Sequence, residues 1–498
     1  MKICLVYPNL DGTPQSLDIG VAYLATHIDE RTSHEVKIID LTFHRRDWED
    51  YLKAELEKFK PDAIGISVVS LYFDHARRVA REIKEYADIP IIAGGYQPIM
   101  EPEVTIEAEE FDAICTGDGE YALDEYLTAL KKKGNLREVK GIWFKEDGKV
   151  IKNEKREYNR DLDSLATPNY DLFDDIDKYL YYLQRLYIIG TRGCPYACTF
   201  CAESVLNQLN PGKRFRERSP RKYVQEIEYL YNKYKDRGMK LAHLYDAVFT
   251  FSDQWFAEWA DEYKKRGLHK VLGYSTFLKA DRRNASEEKL KLLSETGCLQ
   301  VRIGIESGDD DLRERVINKK GSGDNVAMDV INTCNRYGFI VKTYNILGIP
   351  GDTKKSMQKT FNYSRTPFIH VPLYFSYTPL PGTPLAKCVN AMNESSSSEK
   401  MYSFHYSRGA RNEGVPQYYV PLLILKSYVY FGSRLMWNTF IANPVTFFPR
   451  ILSRIFRGFT LGCPLLAASG YALIDPTFWP NISKRIKKRW KRSSPKAR

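Results

Sequence analysis

The sequence predicts an α/β protein in which two series of strands and helices precede a mostly helical C-terminal region. Apolar strand segments alternate with amphipathic helical segments over the first 130 or so residues, and the alternation resumes from Leu186 to Tyr377. A chain of 498 residues, 43% of them hydrophobic, has enough apolar material for two or three cores. We expect domains at residues 1–138, 185–390 and 391–498, with a connector at 139–184.

The first series predicts a doubly wound parallel sheet. Its strand segments are Ile3–Tyr7, Glu35–Asp40, Ala63–Val69, Ile89–Gly94 and Ala113–Thr116, with helical segments such as Trp48–Phe59 and His75–Tyr86 between them. Such βαβ units bind ligands in the loops at the carboxyl ends of the strands.

Glycine and small polar residues occupy those loops, where they let a ligand approach the backbone closely. The predicted binding residues are Ser67, Ser70, Gly94, Gly95, Tyr96, Gly117, Gly119 and Glu120. One glycine-rich loop alone is equally typical of a structural turn. The order of the loops along the chain is therefore the stronger signal.

The connector is predicted to hold a β-hairpin with its turn at Asp147–Gly148. A second series follows, with strand segments Leu186–Gly190, Leu241–Tyr245, Val271–Phe277, Leu299–Ile305, Ile340–Leu347 and Leu373–Tyr377, and helical segments such as Pro220–Lys235 and Glu287–Ser294. Six such units predict a partial (β/α)6 barrel, whose active site lies at the carboxyl ends of the strands.

Three cysteines follow the first barrel strand on a glycine-bearing turn. Cys194, Cys198 and Cys201 stand at CxxxCxxC spacing, and the other cysteines are scattered without a paired framework. Soft thiolate ligands favour an iron–sulfur cluster or zinc, but a closed zinc site needs a fourth ligand, and no Cys or His lies close in sequence. A [4Fe-4S] cluster held by three cysteines leaves one iron open for chemistry. The alternatives are buried cysteines or a zinc site closed by a distant ligand.

This triplet resembles the signature of the radical S-adenosylmethionine (SAM) enzymes. The resemblance implies that the three cysteines hold a [4Fe-4S] cluster and that the amino and carboxylate groups of SAM chelate its open iron. One electron from the cluster would then cleave SAM and release a 5′-deoxyadenosyl radical that abstracts hydrogen from unactivated carbon. Phe200 would lie beside the adenine.

Further motifs recur in the order of that family. The residues implied for SAM are Asp246 after the second barrel strand, Lys279 where relatives carry Arg, Glu306 in a GIESG segment, and Gly348 and Pro350 in a GIPGDT turn; a PGTPL segment at 381–385 also matches. Each has a plainer alternative, because a strand-end Asp caps helices, a Lys lies at the surface, and Gly–Pro segments form rigid turns. The sequence identifies no catalytic side chain beyond these.

The N-terminal series resembles the cobalamin-binding domain that many radical SAM enzymes carry. The DxHxxG motif, whose His ligates cobalt in other cobalamin proteins, is absent, since His75 directly follows Asp74. The resemblance therefore implies cobalamin bound without a protein imidazole, or else a domain that has lost its ligand.

The C-terminal region carries the positive charge of the chain. Fourteen basic residues and one acidic residue lie between Pro421 and Arg498, so this end carries +13 and the remainder −2 of the net +11. Pro449–Phe459 reads as a short helix with Arg450, Arg454 and Arg457 on one face, and Lys484–Arg498 adds nine positive charges. Arginine beside aromatics is typical of a helix at an anionic membrane surface. The alternative is a core helix with a solvated tail; nucleic acid is a weaker candidate because no RNA-binding module is evident.

Together these features predict a cobalamin-dependent radical SAM enzyme that methylates an unactivated carbon of a hydrophobic substrate, a lipid or isoprenoid. Its expected partners are this small-molecule or lipid substrate and a one-electron donor of the ferredoxin or flavodoxin type. One alternative is a cyclase or oxidase without methyl transfer, and another is a non-catalytic iron–sulfur regulatory protein. The chain starts on a strand without a signal peptide, so we expect a cytoplasmic protein, peripheral on the inner face of the membrane.

Overall fold

The computed structural model describes residues 1–11, 17–392 and 412–442. Within these residues the chain forms a seven-stranded sheet, a six-stranded sheet and a small two-stranded ribbon. The predicted helix Pro449–Phe459 and the basic tail Lys484–Arg498 lie outside the described residues.

The N-terminal part of the chain forms the predicted doubly wound sheet. Its elements are β1 (Lys2–Tyr7), α1 (Ile19–Arg31), β2 (Glu35–Asp40), α2 (Trp48–Phe59), β3 (Ala63–Ser67), α3 (Phe73–Tyr86), β4 (Ile91–Gly94), α4 (Tyr96–Met100), α5 (Pro102–Glu107), β5 (Ala113–Cys115), α6 (Gly119–Lys132), β6 (Ile142–Glu146) and β7 (Lys149–Lys152). The strand order is β2-β1-β3-β4-β5-β6-β7, and β1 to β5 pair in parallel. Helices cover both faces, which explains why the strands read as continuous apolar runs rather than alternating ones.

The predicted hairpin belongs to this sheet and not to the connector. β6 pairs antiparallel with β5, and Ala113 lies opposite Phe144. Ile142 and Phe144 pack in one core of the sheet, and Trp143 packs in the other. The hairpin thus extends the sheet past the predicted domain boundary at residue 138, as far as Lys152.

The second half is a curled sheet of six parallel strands, as predicted. Its elements are α7 (Ile176–Leu183), β8 (Arg185–Ile188), β9 (Thr191–Arg192), α8 (Ala202–Leu209), β10 (Arg216–Glu217), α9 (Pro220–Tyr234), β11 (Leu241–Leu244), α10 (Asp253–Lys265), α11 (Leu268–Val271), β12 (Gly273–Leu278), α12 (Glu287–Glu295), β13 (Cys298–Glu306), α13 (Asp324–Arg336), β14 (Ile340–Leu347), α14 (Lys354–Tyr363), β15 (Val371–Ser376), α15 (Pro384–Met392) and α16 (Tyr419–Ala442). The strand order is β15-β14-β13-β12-β11-β8, and β9 pairs with β10 in the small ribbon. The predicted strands recur with ends shifted by two residues or fewer.

The connecting segment joins the two halves through buried hydroxyl groups. Tyr170 Oη donates to the Tyr187 carbonyl oxygen at 2.6 Å, and Tyr179 Oη donates to Asp40 at 2.8 Å. Elsewhere in the junction, Tyr23 Oη donates to Glu226 at 2.7 Å. One continuous hydrophobic core runs from β1 through this connector to the barrel helices. The two sheets are therefore packed as parts of one unit.

Helix α16 packs one face on the barrel and exposes the other. Val420, Leu423 and Phe431 lie in a cluster with Met357 of α14 and Tyr374 of β15. The rest of its surface carries exposed apolar side chains at Leu422, Leu425, Val429, Met436, Trp437 and Ile441. Among the described residues, no helix combines the length and the apolar character needed to cross a bilayer.

A pH-dependent stability difference is expected at Asp40. Burial raises the pKa of Asp40 to about 6, so the folded chain holds a proton that the unfolded chain releases. This group stabilises the fold fully below about pH 4, and that stabilisation is lost as the pH rises through about 6. The Asp40→Asn variant has no carboxyl group to titrate at this position. As the pH rises from 4 to 7, its free energy of unfolding should therefore increase relative to that of the wild type by up to about 3 kcal/mol.

Urea unfolding of the cluster-free chain, followed by circular dichroism over this pH range, measures the difference. The matched control is Asp29→Asn, at an exposed position of α1, and its stability should follow that of the wild type at every pH. Parallel pH curves for Asp40→Asn and wild type would show that Asp40 ionises normally in the fold.

Candidate functional site

A buried carboxylate positions the chain where it enters the cysteine loop. Asp246, which follows β11, is fully buried and accepts hydrogen bonds from Gly190 N at 2.9 Å, Thr191 N at 2.6 Å, Thr191 Oγ1 at 2.9 Å and Tyr223 Oη at 2.7 Å. Burial raises the pKa of Asp246, against the opposing effect of these hydrogen bonds. The residue predicted to contact SAM thus already has four protein donors, and they fix the turn between β8 and the cysteines.

The cysteine loop is held from its other side by the chain that follows β13. Thr199 donates its backbone N–H to the Ile317 carbonyl at 3.0 Å and its hydroxyl to the Val316 carbonyl at 2.6 Å. Asn318 Nδ2 donates to the Ala197 carbonyl at 2.9 Å. The PGTPL segment adds a bond from Leu385 N to the Thr199 carbonyl at 3.0 Å. The loop is therefore fixed by the fourth strand's extension and by the last barrel segment.

The three cysteines have the donor chemistry of an iron–sulfur cluster. None is in a disulfide, and all three are partly exposed. Burial raises the pKa of Cys194 to about 11 and of Cys201 to about 12, so the thiols stay protonated until a metal displaces the protons. The described residues hold no group of three or more His, Cys, Asp or Glu side chains arranged around one metal ion. In a cluster each cysteine binds a different iron, which is a different requirement from that of zinc.

Glu306 ends β13 beside this loop and is held by a lysine. Lys319 Nζ and Glu306 Oε1 lie 2.7 Å apart, and both side chains are buried. Burial disfavours the ammonium, but Glu306 and then Cys198 raise the pKa of Lys319 above its usual range. A Cβ on Gly304 would lie 2.1 Å from Glu306 Oε1 and 2.6 Å from Lys319 Nζ. The first glycine of the GIESG segment is therefore required by this ion pair.

Lys279 is buried close to the same loop and is not the surface lysine of the plainer alternative. Its ammonium pairs with Asp281 at 2.5 Å and donates to the Lys320 carbonyl at 2.7 Å. It also lies 4.4 Å from the ring centroid of Tyr196, which stands between the first two cysteines. Asn284 holds the Tyr196 hydroxyl at 2.6 Å. A positive charge is thus fixed against the loop, as the resemblance implies for its Arg.

The GIPGDT turn follows β14 and is closed by its own aspartate. Gly348 N donates to Asp352 Oδ2 at 2.9 Å, and Gly348 has a φ of 75° that favours glycine. Pro350 is buried, and Ile349 lies in an apolar cluster on which Phe200 packs. The turn and the predicted adenine neighbour therefore meet.

The loops of the N-terminal sheet face the cysteine side of the barrel. Ser67 Oγ donates to Asp18 at 2.7 Å, and Ser70 begins a short helical turn after β3. A Cβ on Gly94 would meet no atom within 4 Å, whereas one on Gly95 would lie 2.8 Å from the Val68 carbonyl oxygen. Tyr96, which is 44% exposed, opens α4, and α4 packs against α8 just after the third cysteine. Open space above Gly94 fits a bound ligand at the predicted cobalamin loops.

The last predicted loop, which carries Gly117, Gly119 and Glu120, attaches this domain to the barrel. Glu120 pairs with Arg192 at 2.5 Å. Asn210 Nδ2 donates to the Thr116 carbonyl at 2.9 Å, and a Cβ on Gly117 would lie 2.6 Å from that nitrogen. A structural role therefore accounts for the Glu120 carboxylate and for the glycine at 117.

Two family models match the chain. The Radical SAM superfamily model covers residues 188–363, which include the cysteine loop, and the B12 binding domain model covers residues 14–127. The uncharacterized methyltransferase PH0819 of Pyrococcus horikoshii is 30% identical over 403 residues, spanning 79% of this chain and 84% of the relative. The chain belongs to the cobalamin-binding radical SAM enzymes. Enzymes of this kind use a [4Fe-4S] cluster, SAM and cobalamin, as the sequence predicts.

Two further relatives are less similar in sequence. The anaerobic magnesium-protoporphyrin IX monomethyl ester cyclase of Rubrivivax gelatinosus is 27% identical over 395 residues, 76% of this chain and 68% of the relative. The bacteriochlorophyllide d C-12(1)-methyltransferase of Chlorobaculum tepidum is 21% identical over 439 residues, 87% of this chain and 88% of the relative.

Solved structures share the fold of this radical SAM enzyme. The cobalamin-dependent SAM radical enzyme OxsB with aqua-cobalamin bound superposes with a TM-score of 0.68 at 17% identity, covering 99% of this chain and 81% of that one. The radical SAM methyltransferase TsrM of Kitasatospora setae, with cobalamin and a [4Fe-4S] cluster bound, gives 0.65 at 19% identity, covering 84% and 81%. These likenesses support the α/β fold class.

Sequence reasoning missed the residues that hold the site from outside the motifs. Lys319 lies in no recognisable pattern, and its only signal is a pair of lysines before a glycine, after a GIESG segment. Arg192 pairs with Glu120 and Arg216 pairs with Asp118, and neither arginine lies in a recognisable sequence motif. The role of these two arginines depends on contacts between the N-terminal domain and the barrel, which are far apart in sequence.

The variant Gly304→Ala tests the packing around Glu306. The added methyl group must displace the carboxylate from Lys319, so we expect SAM-dependent formation of 5′-deoxyadenosine to fall about tenfold or more. Iron content should stay at the wild-type value because the cysteine loop is untouched.

Product analysis by liquid chromatography, after anaerobic reconstitution, measures this effect. Gly432→Ala is the control, since a Cβ there meets no atom within 4 Å and should change neither quantity. If Gly304→Ala formed as much 5′-deoxyadenosine as the wild type, the role of Glu306 would be contradicted.

Proposed function

We propose that this radical SAM enzyme is a cobalamin-dependent methyltransferase acting on an unactivated carbon of a hydrophobic substrate. The observation that carries the proposal is the packing of α4, which follows the Gly94–Tyr96 loop, against α8, which follows the cysteines. A ligand in the open space above Gly94 would then lie on the same side as a cluster on the cysteine loop. Relatives named as methyltransferases support the same reaction type.

When bound, the cluster and SAM supply a 5′-deoxyadenosyl radical and cobalamin supplies a methyl group. The side chains of the chain bind and orient these groups. We assign Glu306, held by Lys319, to accept hydrogen bonds from SAM, and Lys279 to provide positive charge near the SAM carboxylate. We assign Phe200 and Pro350 to the adenosyl pocket, where buried apolar neighbours exclude water.

Aromatic side chains inside the barrel support a hydrophobic substrate. The rings of Tyr187 and Tyr245 lie 5.4 Å apart, those of Phe277 and Tyr344 lie 5.8 Å apart, and Phe375 follows at 6.1 Å from Tyr344. Tyr245 is 45% exposed at the end of β11, so this wall reaches the barrel mouth. Such a wall suits an apolar body, as in a lipid or isoprenoid.

A cyclase or oxidase is the second candidate, favoured by the similarity to the magnesium-protoporphyrin ester cyclase. It would use the same radical without moving a methyl group. A regulatory iron–sulfur protein without turnover would instead have no use for the buried Glu306–Lys319 pair beside the cysteines.

Reconstitution with iron, sulfide and hydroxocobalamin tests the assignment. We expect about four irons per chain and dithionite-dependent 5′-deoxyadenosine. With methyl-deuterated SAM and a total lipid extract as the probe, the label should enter a product only when cobalamin is present.

The matched variants are Cys194→Ala, which should lose iron and product, and Cys388→Ala, an exposed cysteine outside the motif, which should lose neither. Formation of 5′-deoxyadenosine without labelled product favours the cyclase or oxidase reaction. Failure of wild-type protein to give either iron or 5′-deoxyadenosine would refute radical chemistry.

We also propose that the exposed face of α16 meets an anionic membrane surface. Leu422, Leu425, Val429 and Trp437 on this face are more than half exposed, and the basic C-terminal region follows directly in sequence. A lipid substrate would then be drawn from the surface to which the enzyme binds.

Replacement of Leu425 and Val429 by Ser should weaken binding to vesicles of phosphatidylcholine with phosphatidylglycerol about tenfold, because two apolar contacts are lost. Vesicle flotation measures it. Val271→Ser, which changes an exposed valine on the barrel, should bind as the wild type does. Unchanged flotation of the α16 variant would contradict the proposal.

A further inference from the structure

Three basic side chains are buried inside the barrel, away from the cysteine loop. Arg185 begins β8, Arg302 lies in the middle of β13, and Lys342 lies in β14 directly opposite Arg302 in the strand register. Their exposed fractions are only 6%, 5% and 4%. Each approaches an aromatic ring, at 5.6 Å for Arg185 and Tyr187, 5.5 Å for Arg302 and Phe277, and 5.4 Å for Lys342 and Tyr344. We call these three residues the basic layer.

The basic layer lies between an apolar floor and the predicted SAM site. Leu241, Ile340 and Val371, the first residues of their strands, form the floor as one buried cluster. Along β13, Gly304 follows Arg302 by two residues, a rise of about 7 Å, and Glu306 comes next toward the mouth. A substrate that reaches the layer therefore has its body among the aromatic side chains, beneath the site where we place SAM.

Acidic side chains of the described residues leave the two arginines of the layer unneutralised. Within the described part of the chain, no carboxylate forms an ion pair with Arg185 or Arg302. Among the described residues, Arg302 donates to two neutral oxygens, Gln300 Oε1 at 3.3 Å and Tyr344 Oη at 3.5 Å. Burial lowers the pKa of Lys342, and Arg302 and Arg185 lower it further. The two arginines thus disfavour the ammonium form of Lys342, in a medium that screens charge poorly.

Several buried polar atoms beside the layer also lack hydrogen-bond partners. Arg185 Nε, His243 Nε2 and Gln300 Nε2 are all enclosed and unpaired in the described structure. His243 is fully buried between Tyr187 and Tyr245. Buried donors and cations are costly when unpaired, and contacts with aromatic faces offset only part of that cost. An arrangement of this kind is stable when a ligand supplies the missing acceptor atoms.

We propose that the basic layer binds an anionic group of the substrate, a carboxylate or phosphate, while the apolar or aromatic body of the substrate fills the barrel above it. This inference rests on the proposed function, because it assigns the substrate class of the same site. The guanidinium fork of an arginine matches the paired oxygens of either anion, and two arginines and a lysine meet here. A neutral lipid would offer the guanidinium groups of Arg185 and Arg302 no anionic partner, so the layer selects against it.

Binding of three probes with a common ring tests the charge requirement. They are 1-naphthyl phosphate, 1-naphthoate and neutral 1-naphthol, titrated calorimetrically into the anaerobic full chain with cluster and cobalamin. We expect at least one anion to bind about tenfold or more tightly than 1-naphthol, and the better of the two distinguishes phosphate from carboxylate.

Arg302→Gln should reduce this preference to less than about threefold, whereas Arg302→Lys, which keeps the charge, should retain most of it. Exposed Arg45→Gln is the control for net charge and should bind all three probes as the wild type does. Iron content and the thermal midpoint identify any variant that fails to fold. If Arg302→Gln fails to fold, Lys342→Met replaces it, and we expect the same reduction in the preference for anions.

Equal affinity of the wild type for the anions and 1-naphthol would overturn the proposal, as would full anion preference in Arg302→Gln. The same preparations are assayed for 5′-deoxyadenosine without probe. Wild-type protein that cleaves SAM but shows no anion preference refutes the basic layer alone. Protein that prefers anions but never cleaves SAM refutes the proposed function and leaves the anion site in place.

Discussion

The buried carboxylate of Asp246 is the constraint on which the rest of the site depends. It takes four hydrogen bonds from Gly190, Thr191 and Tyr223, so the chain must turn sharply as it leaves β8. A Cβ on Gly190 would lie 2.2 Å from the Tyr223 ring, which shows how tightly that turn is packed. Because the cysteine loop starts from this turn, its anchors at Ile317 and Leu385 can meet it from the opposite side.

The fold was largely predictable because its signals are local. Continuous apolar runs such as Ile3–Tyr7 mark strands buried on both faces, and the sequence placed that strand within one residue of its observed bounds. The sequence predicted the hairpin of β6 and β7, but it did not predict that this hairpin pairs with β5. Pairing with β5 depends on the fit of Ile142 and Phe144 against a distant core, and no local pattern encodes which sheet an edge hairpin joins.

The site was predictable where a motif fixes both residue type and spacing, and not elsewhere. The cysteine triplet and the GIESG segment could be read directly, because the chemistry of a metal ligand or a crowded turn leaves few alternatives. Lys319 and the basic layer could not be predicted, since a lysine or arginine in a loop or strand looks the same in sequence whether it faces solvent or the barrel interior. The loop that carries Gly117, Gly119 and Glu120 was interpreted as a ligand loop, yet the Glu120 carboxylate pairs with Arg192. A carboxylate at the end of a strand can serve either purpose.

The added hairpin determines where this protein can be divided. A fragment cut at residue 138 would leave β5 as an open strand edge with unpaired backbone groups, a common route to aggregation. Extending the fragment to Lys152 covers that edge, but Tyr158 a few residues later already donates its backbone N–H to Pro211 and its hydroxyl to Leu206. The N-terminal sheet and the barrel therefore cannot be separated at a simple linker. An exchange of cobalamin-binding domains between relatives would need to carry the hairpin, the segment with Tyr158 and the partners of Tyr158 at Leu206 and Pro211 together.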